Sequence, residues 1–292
     1  MKKREFKIMV LIYKMTKVLK AITNIIWLCL PYVFLKSWNK LKNSRKFKLY
    51  LNLRGKKYQC NICKRTFNSF NDTILQPSEL TTWSGKYFTI GIGHTLCDYC
   101  SSTSRLRTIY AYFDKLNLWP KSKDKVLHFA PEAPLYKRII SSEVSEYIKA
   151  DLYDDWGIND IKKINIMDIP YPENYFDIVI CNHVLEHIPD LKKGIAEIHR
   201  VIKKGGFAIL MAPMSMVLEN HFQDAGINTD DTRTAYYGQN DHVILLSKKQ
   251  YLQDLQNQGF QLDLKYAKDT FESGEYEYFG LEPKEFLVKV IK

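Results

Sequence analysis

Phe176–Pro213 reads FDIVICNHVLEHIPDLKKGIAEIHRVIKKGGFAILMAP. Its ends, FDIVICN and GFAILMAP, are apolar runs of strand length, and LKKGIAEIHRVI between them repeats its apolar residues at helical spacing. Strand, helix and strand in that order make a βαβ unit with parallel strands. The alternation continues outward. Upstream lie the apolar run KVLHFA from Lys125, the helix-like PLYKRIISSE, and the short runs EYIKAD and KKINIMD. Downstream, SKKQYLQDLQNQGF reads as a helix, and QLDLKYA and EFLVKVI as strands. The expected fold class is therefore α/β with a parallel sheet, and such sheets bind ligands outside the carboxyl ends of their strands.

Within the stretch, Phe176-Asp177 opens an apolar strand, Leu185-Glu186-His187 begins the next turn, Arg200-Val201 closes the helix, and Lys203-Lys204-Gly205-Gly206 turns into the following strand. This joint pattern, and the region Val126–Pro213 around it, resembles the class I S-adenosylmethionine-dependent methyltransferases of the type 11 group. The resemblance implies a Rossmann-like seven-stranded methyltransferase sheet and S-adenosylmethionine as cofactor. Where that family carries a glycine-rich turn after its first strand, this chain has His128, Phe129, Ala130, Pro131 and Glu132. It is similar to a subgroup that joins such an HFAPE loop to a module of two CxxC pairs. Asp151, 19 residues after Glu132, stands at the distance of a carboxylate that accepts from ribose hydroxyls, with Leu152 beside it. By the same resemblance, Asn165, Ile166 and Asp168 are expected at the adenine, and Asn182 and His183 beside the methyl group and sulfonium.

HVLEH places His183, Glu186 and His187 at i, i+3 and i+4, so on a helix they share one face. Asp241 and His242 arrive from a later segment, YGQNDHV. Three readings follow. A histidine base, His183 or His242, that removes a hydroxyl proton ranks first. A divalent ion such as Mg2+ at Glu186, His187 and His242 ranks below it, because related methyltransferases with a Glu-x-x-Glu-His helix have glutamate where His183 stands. In the third reading these side chains only brace the helix and loops. The acceptor walls are expected within Met214–His242, with Arg233, Tyr236 and Tyr237 as gripping residues that also suit a plain packed loop.

Cys60, Cys63, Cys97 and Cys100 form two CxxC pairs that suit four thiolates around one structural Zn2+; reduced or redox-active pairs are the competing reading. The net charge of +11 is lopsided: residues 1–60 hold 16 Lys and Arg against the single acid Glu5. Apolar residues at helical period from Ile8 to Val33, lysines on the other side, and the basic KSWNKLKNSRKFK after them suggest an in-plane helix on an anionic membrane surface. Packing on the rest of the protein and a nucleic-acid arm are the alternatives for this stretch, and nucleic acid ranks lowest. The apolar half is too short to span a bilayer, and no signal-cleavage pattern follows it. The expected organisation is a basic amphipathic helix and linker over residues 1–48, the cysteine module over 49–105, and the methyltransferase domain over 106–292. The expected protein is cytoplasmic and peripheral at the inner membrane face. Its expected activity is O-methylation of a hydroxylated metabolite, saccharide or lipid-linked substrate. The rivals are a non-catalytic module that kept the fold, and a nucleic-acid methyltransferase.

Overall fold

The computed structural model describes Leu49 and residues 51–71, 88–90, 95–153 and 159–292. The amphipathic stretch expected over residues 1–48 lies outside them. Met1–Arg54 and Gly55–Lys292 are separate compact units, and the second contains both the cysteine pairs and the sheet.

In chain order the second unit forms β1 (Tyr58–Gln59), β2 (Thr66–Phe67), β3 (Phe88–Ile90), α1 (Ser104–Lys115), β4 (Lys125–Phe129), α2 (Ala133–Ile140), β5 (Glu146–Asp151), β6 (Ile161–Lys163) and β7 (Phe176–Asn182). A 3₁₀ turn follows at Leu185–His187, then α3 (Leu191–Val201), β8 (Ile202–Met211), β9 (Met214–Ser215), α4 (Asp230–Tyr237), β10 (Leu246–Ser247), α5 (Lys248–Asn257), β11 (Gln261–Tyr266), α6 (Ala267–Thr270), α7 (Ser273–Phe279) and β12 (Phe286–Ile291).

Seven strands form the main sheet in the order β11-β12-β8-β7-β4-β5-β6. β12 runs antiparallel to both neighbours, whereas β8, β7, β4, β5 and β6 pair in parallel. This is the seven-stranded α/β sheet that the resemblance implies, but it is mixed rather than parallel throughout, because β12 enters antiparallel between β11 and β8. The chain order reverses direction between β4 and β7, so a crevice opens at their carboxyl ends.

Central strands covered on both faces can be continuously apolar. Accordingly Phe176 and Ile178–Asn182 of β7 are all buried. Asp177, the exception, braces the sheet at its lower end: its carboxylate accepts the Lys125 N–H at 2.8 Å and takes the Lys203 ammonium on both oxygens at 2.8 Å. α3 begins where Asp190 accepts the Lys193 N–H, and it buries Leu191, Ile195, Ile198 and Val201. Gly206 cannot carry a side chain, because a Cβ there would stand 2.7 Å from the Asp177 carbonyl.

The cysteine module is fastened to the sheet domain by Arg107, whose side chain is fully buried. Its guanidinium donates to the carbonyls of Ser102 at 2.6 Å, Phe279 at 3.1 Å and Gly280 at 2.8 Å, and to Thr95 Oγ1 at 2.6 Å. The Phe70 ring covers it at 4.0 Å. Burial lowers its pKa to about 10, which leaves the cation charged at neutral pH. Arg107→Met would leave those carbonyls buried without a donor. It is expected to cost about 3 kcal/mol or more, read as a lowered urea midpoint.

Candidate active site and cysteine centre

The two CxxC pairs fold into matching turns. The Cys60 N–H donates to the Arg65 carbonyl and the Lys64 N–H to the Cys60 carbonyl; the Cys97 N–H donates to Ser102 and the Ser101 N–H to Cys97. Lys64 and Ser101 are left-handed, at φ +60° and +57°. The four sulfurs lie within 4.8 Å of one another, with Cys60–Cys100 and Cys63–Cys97 each at 3.7 Å. A tetrahedral ion with Zn–S bonds of about 2.3 Å requires sulfurs about 3.8 Å apart, so the donor set and spacing fit zinc.

At the carboxyl end of β4, the HFAPE loop manages without glycine. Ala130 takes the left-handed conformation, φ +43°, and donates its N–H to the Ala150 carbonyl at 2.9 Å. The His128 and Phe129 side chains are shut into the core. Both ring nitrogens of His128 are engaged, Nδ1 with the Tyr147 hydroxyl at 2.9 Å and Nε2 with Glu132 Oε2 at 3.0 Å. Burial pushes the Tyr147 pKa up, so its O–H donates to Nδ1, and Nε2–H in turn donates to the carboxylate. A buried chain of hydrogen bonds therefore aims Glu132 from the end of β4, with Pro131 and Glu132 leading into α2.

Asp151 closes β5, and its Oδ1 accepts the Tyr153 N–H at 2.9 Å, which folds Leu152 and Tyr153 into an exposed turn. Asn165 and Asp168 are exposed around the buried Ile166. Asn165 Oδ1 accepts the Met167 N–H, so this amide oxygen, expected at the adenine, already holds its own turn. Asn182, at the end of β7, is only 2% exposed, yet neither its Oδ1 nor its Nδ2 has a hydrogen-bond partner. A buried side-chain amide without partners, at the point where the strand order reverses, marks a place for a polar ligand.

Sequence reasoning expects a helix through His183, Glu186 and His187. The structure forms a 3₁₀ turn instead, because His183 is left-handed at φ +56° and donates its N–H to the Met211 carbonyl at 2.7 Å. The side chains still converge. His183 Nδ1 lies 3.3 Å from Glu186 Oε1, and His187 Nδ1 lies 3.4 Å from Asp241 Oδ2. The His187 and His242 rings meet edge to face at 4.8 Å between centroids. Glu186, His187 and His242 also bring three ligand atoms within 4.8 Å of one another. Tyr237 is buried and Tyr236 exposed, while Arg233 has its Nε buried without a partner.

Burial sets the protonation of this cluster. It pushes Glu186 up to about 8, lowers His242 to about 4 with help from His187, and holds His183 well below its usual value. In NMR titrations the His242 ring signals are expected to stay in the neutral form from pH 8 down to about 5, and the His183 ring to protonate only well below the usual histidine range. Glu186 gives a second expectation. Between about 4.5 and 8 its carboxyl is protonated in the folded protein and ionised in the unfolded chain. Folding takes up a proton there, so stability falls as pH rises through that window, by at most about 1.4 kcal/mol per pH unit. Glu186→Gln should therefore raise the urea midpoint at pH 9 and leave it unchanged at pH 4.

Residues 126–210 match the family described as methyltransferase domain. A demethylmenaquinone methyltransferase of Geobacillus stearothermophilus is 37% identical over 57 residues, 19% of this chain and 24% of that protein. A chloroplastic 2-methyl-6-phytyl-1,4-hydroquinone methyltransferase of Oryza sativa subsp. japonica is 40% identical over 58 residues, 20% of this chain and 17% of that protein. The chain thus spans about a quarter or less of the length of these curated relatives. The match falls on the centre of the sheet, from Val126 to Leu210.

Proposed function

We propose that this protein is an S-adenosylmethionine-dependent methyltransferase whose cofactor lies across the carboxyl ends of β4, β5 and β7. The observation that carries the reading is the unpartnered, buried Asn182 at the crevice where the sheet order reverses. Asp151 would accept from the ribose hydroxyls, Glu132 would meet the ammonium of the amino-acid end, and the turn Asn165–Asp168 would border the adenine. The left-handed Ala130 keeps the loop low where glycine usually does so. When bound, the cofactor supplies an activated methyl group, so the protein's part is alignment and the handling of one proton.

His183, His187 and His242 are the imidazoles nearest that step. His242 Nδ1 lies 3.1 Å from the Tyr237 carbonyl and donates to it, which leaves Nε2 as an acceptor. Since burial makes His183 and His242 weak bases, His187, which reaches solvent and has Asp241 beside it, is the better placed proton acceptor. A divalent ion at Glu186, His187 and His242 is a second reading, favoured by their ligand spacing. Titration with Mn2+ separates the two, since the proton-acceptor reading requires no uptake at that cluster.

Cys60, Cys63, Cys97 and Cys100 would hold a structural Zn2+. O-methylation of a hydroxylated metabolite, saccharide or lipid-linked substrate remains the proposed reaction, and the relatives' names favour an acceptor with an apolar ring. Residues 1–48 would bring the enzyme to an anionic membrane surface, which sedimentation with anionic vesicles tests; among the described residues no helix is long and apolar enough to cross a membrane. Cofactor binding is tested by thermal unfolding with S-adenosylhomocysteine. At 100 times its Kd the product should add about 2.7 kcal/mol of stability. A non-catalytic module would melt at the same temperature with or without it.

A further inference from the structure

A cavity of about 420 Å³ opens at the far end of the same sheet edge, away from the proposed cofactor crevice. It is bounded by Met216 just after β9, by Tyr266 and Lys268 where β11 passes into α6, and by Pro283, Lys284 and Phe286 where β12 begins. β11 runs parallel to the central strands and β12 antiparallel, so the end of the one and the start of the other share the carboxyl edge with Asn182 and His183. The His183 N–H meets the Met211 carbonyl at 2.7 Å, and Met216 follows five residues later. Five residues reach at most about 18 Å, so one elongated molecule can touch both places.

The chemistry of the cavity is amphiphilic. Tyr266 and Phe286 stack at 5.3 Å with 27° between their planes, and Phe286 is buried. At the mouth, Met216 is 44% exposed and its neighbour Val217 61% exposed, adjacent apolar side chains left in water. Lys268 and Lys284 are exposed at the rim, and Lys248 Nζ lies 4.5 Å above the Phe286 ring. Glu285, the acid in the lining, is 2% exposed, so the lysines set the charge that an arriving ligand meets.

Both walls are fixed from outside the sheet. β9 pairs with β3, which comes from the segment between the two cysteine pairs. α1 holds the other wall: besides the Arg107 clamp, Thr108 Oγ1 accepts the Glu282 N–H at 2.7 Å, and the Tyr112 hydroxyl donates to the Glu285 carbonyl at 3.1 Å. A wall anchored in this way is preorganised for binding.

We propose that this cavity is the acceptor pocket, and that it takes the apolar body of an elongated molecule whose anionic group pairs with Lys268 and Lys284. This rests on the methyltransferase reading above. The cysteine module then serves catalysis by fixing the pocket's walls.

The test uses the full chain and two fluorescent probes, 2-naphthoate and its neutral counterpart 2-naphthamide, with S-adenosylhomocysteine affinity measured in parallel. 2-Naphthoate should bind with a Kd on the order of 0.1 mM and 2-naphthamide several-fold more weakly. Met216→Trp, which fills the mouth, should weaken 2-naphthoate at least about tenfold. The double variant Lys268→Glu with Lys284→Glu should weaken it about fivefold or more without changing the affinity for S-adenosylhomocysteine. No binding of either probe, or equal binding by the wild type and both variants, would overturn the pocket and leave the cofactor reading intact. Naphthoate binding in a protein that fails to bind S-adenosylhomocysteine would overturn the methyltransferase reading, and the acceptor role of the cavity with it.

Discussion

Asp151→Ala is expected to lower the affinity for S-adenosylhomocysteine by about 100-fold. A hydrogen bond to a charged group contributes roughly 1.5–3 kcal/mol, so a carboxylate serving two ribose hydroxyls accounts for about 3 kcal/mol. The same side chain accepts the Tyr153 N–H, so alanine also loosens the turn at Leu152 and Tyr153. Asp151→Asn separates the two effects, because an amide oxygen keeps the turn and gives up the charge. It should lose about tenfold in affinity and leave the melting temperature unchanged. Loss in both variants, with the asparagine protein melting as the wild type does, assigns the effect to the ribose contact; loss in alanine alone assigns it to the turn.

The second large effect is expected at the cysteine centre. Native mass spectrometry of the purified chain should show one zinc ion, and Cys97→Ser should lose it. Structural zinc sites contribute folding free energy outright. Removing the ion should therefore destabilise the module by several kcal/mol, with β1 and β2 exchanging their amide protons first. Because Arg107 ties the module to Phe279 and Gly280, the loss should spread to α7. A chain without zinc mass whose melting is unchanged by chelators would contradict the zinc reading, and a Cys60–Cys63 or Cys97–Cys100 disulfide would favour the redox alternative.

The alternation of strands and helices was readable because central strands such as β7 are apolar throughout and helices such as α3 bury one stripe. The CxxC pairs stand out because their residue type and spacing suit a tetrahedral ion, and the fold brings their four sulfurs within 4.8 Å of one another. The turn at Leu185–His187 was not readable, since HVLEH has helical spacing and only the tertiary bond from His183 to Met211 turns the backbone left-handed. Two-residue strands such as β9 and β10 carry no periodicity to read. The Arg107 clamp was equally hidden. Its acceptors at Phe279 and Gly280 are backbone carbonyls 172 and 173 residues away, and a carbonyl leaves no mark in a sequence. Asn182 was read as a site residue from the resemblance, whereas its lack of partners is visible only once the fold has closed around it.

The most direct measurement of the central claim is a calorimetric titration of S-adenosylmethionine and S-adenosylhomocysteine into the full chain. One site, roughly micromolar affinity, and competition between the two ligands are expected. No heat with either ligand, and no displacement of one by the other, would contradict it.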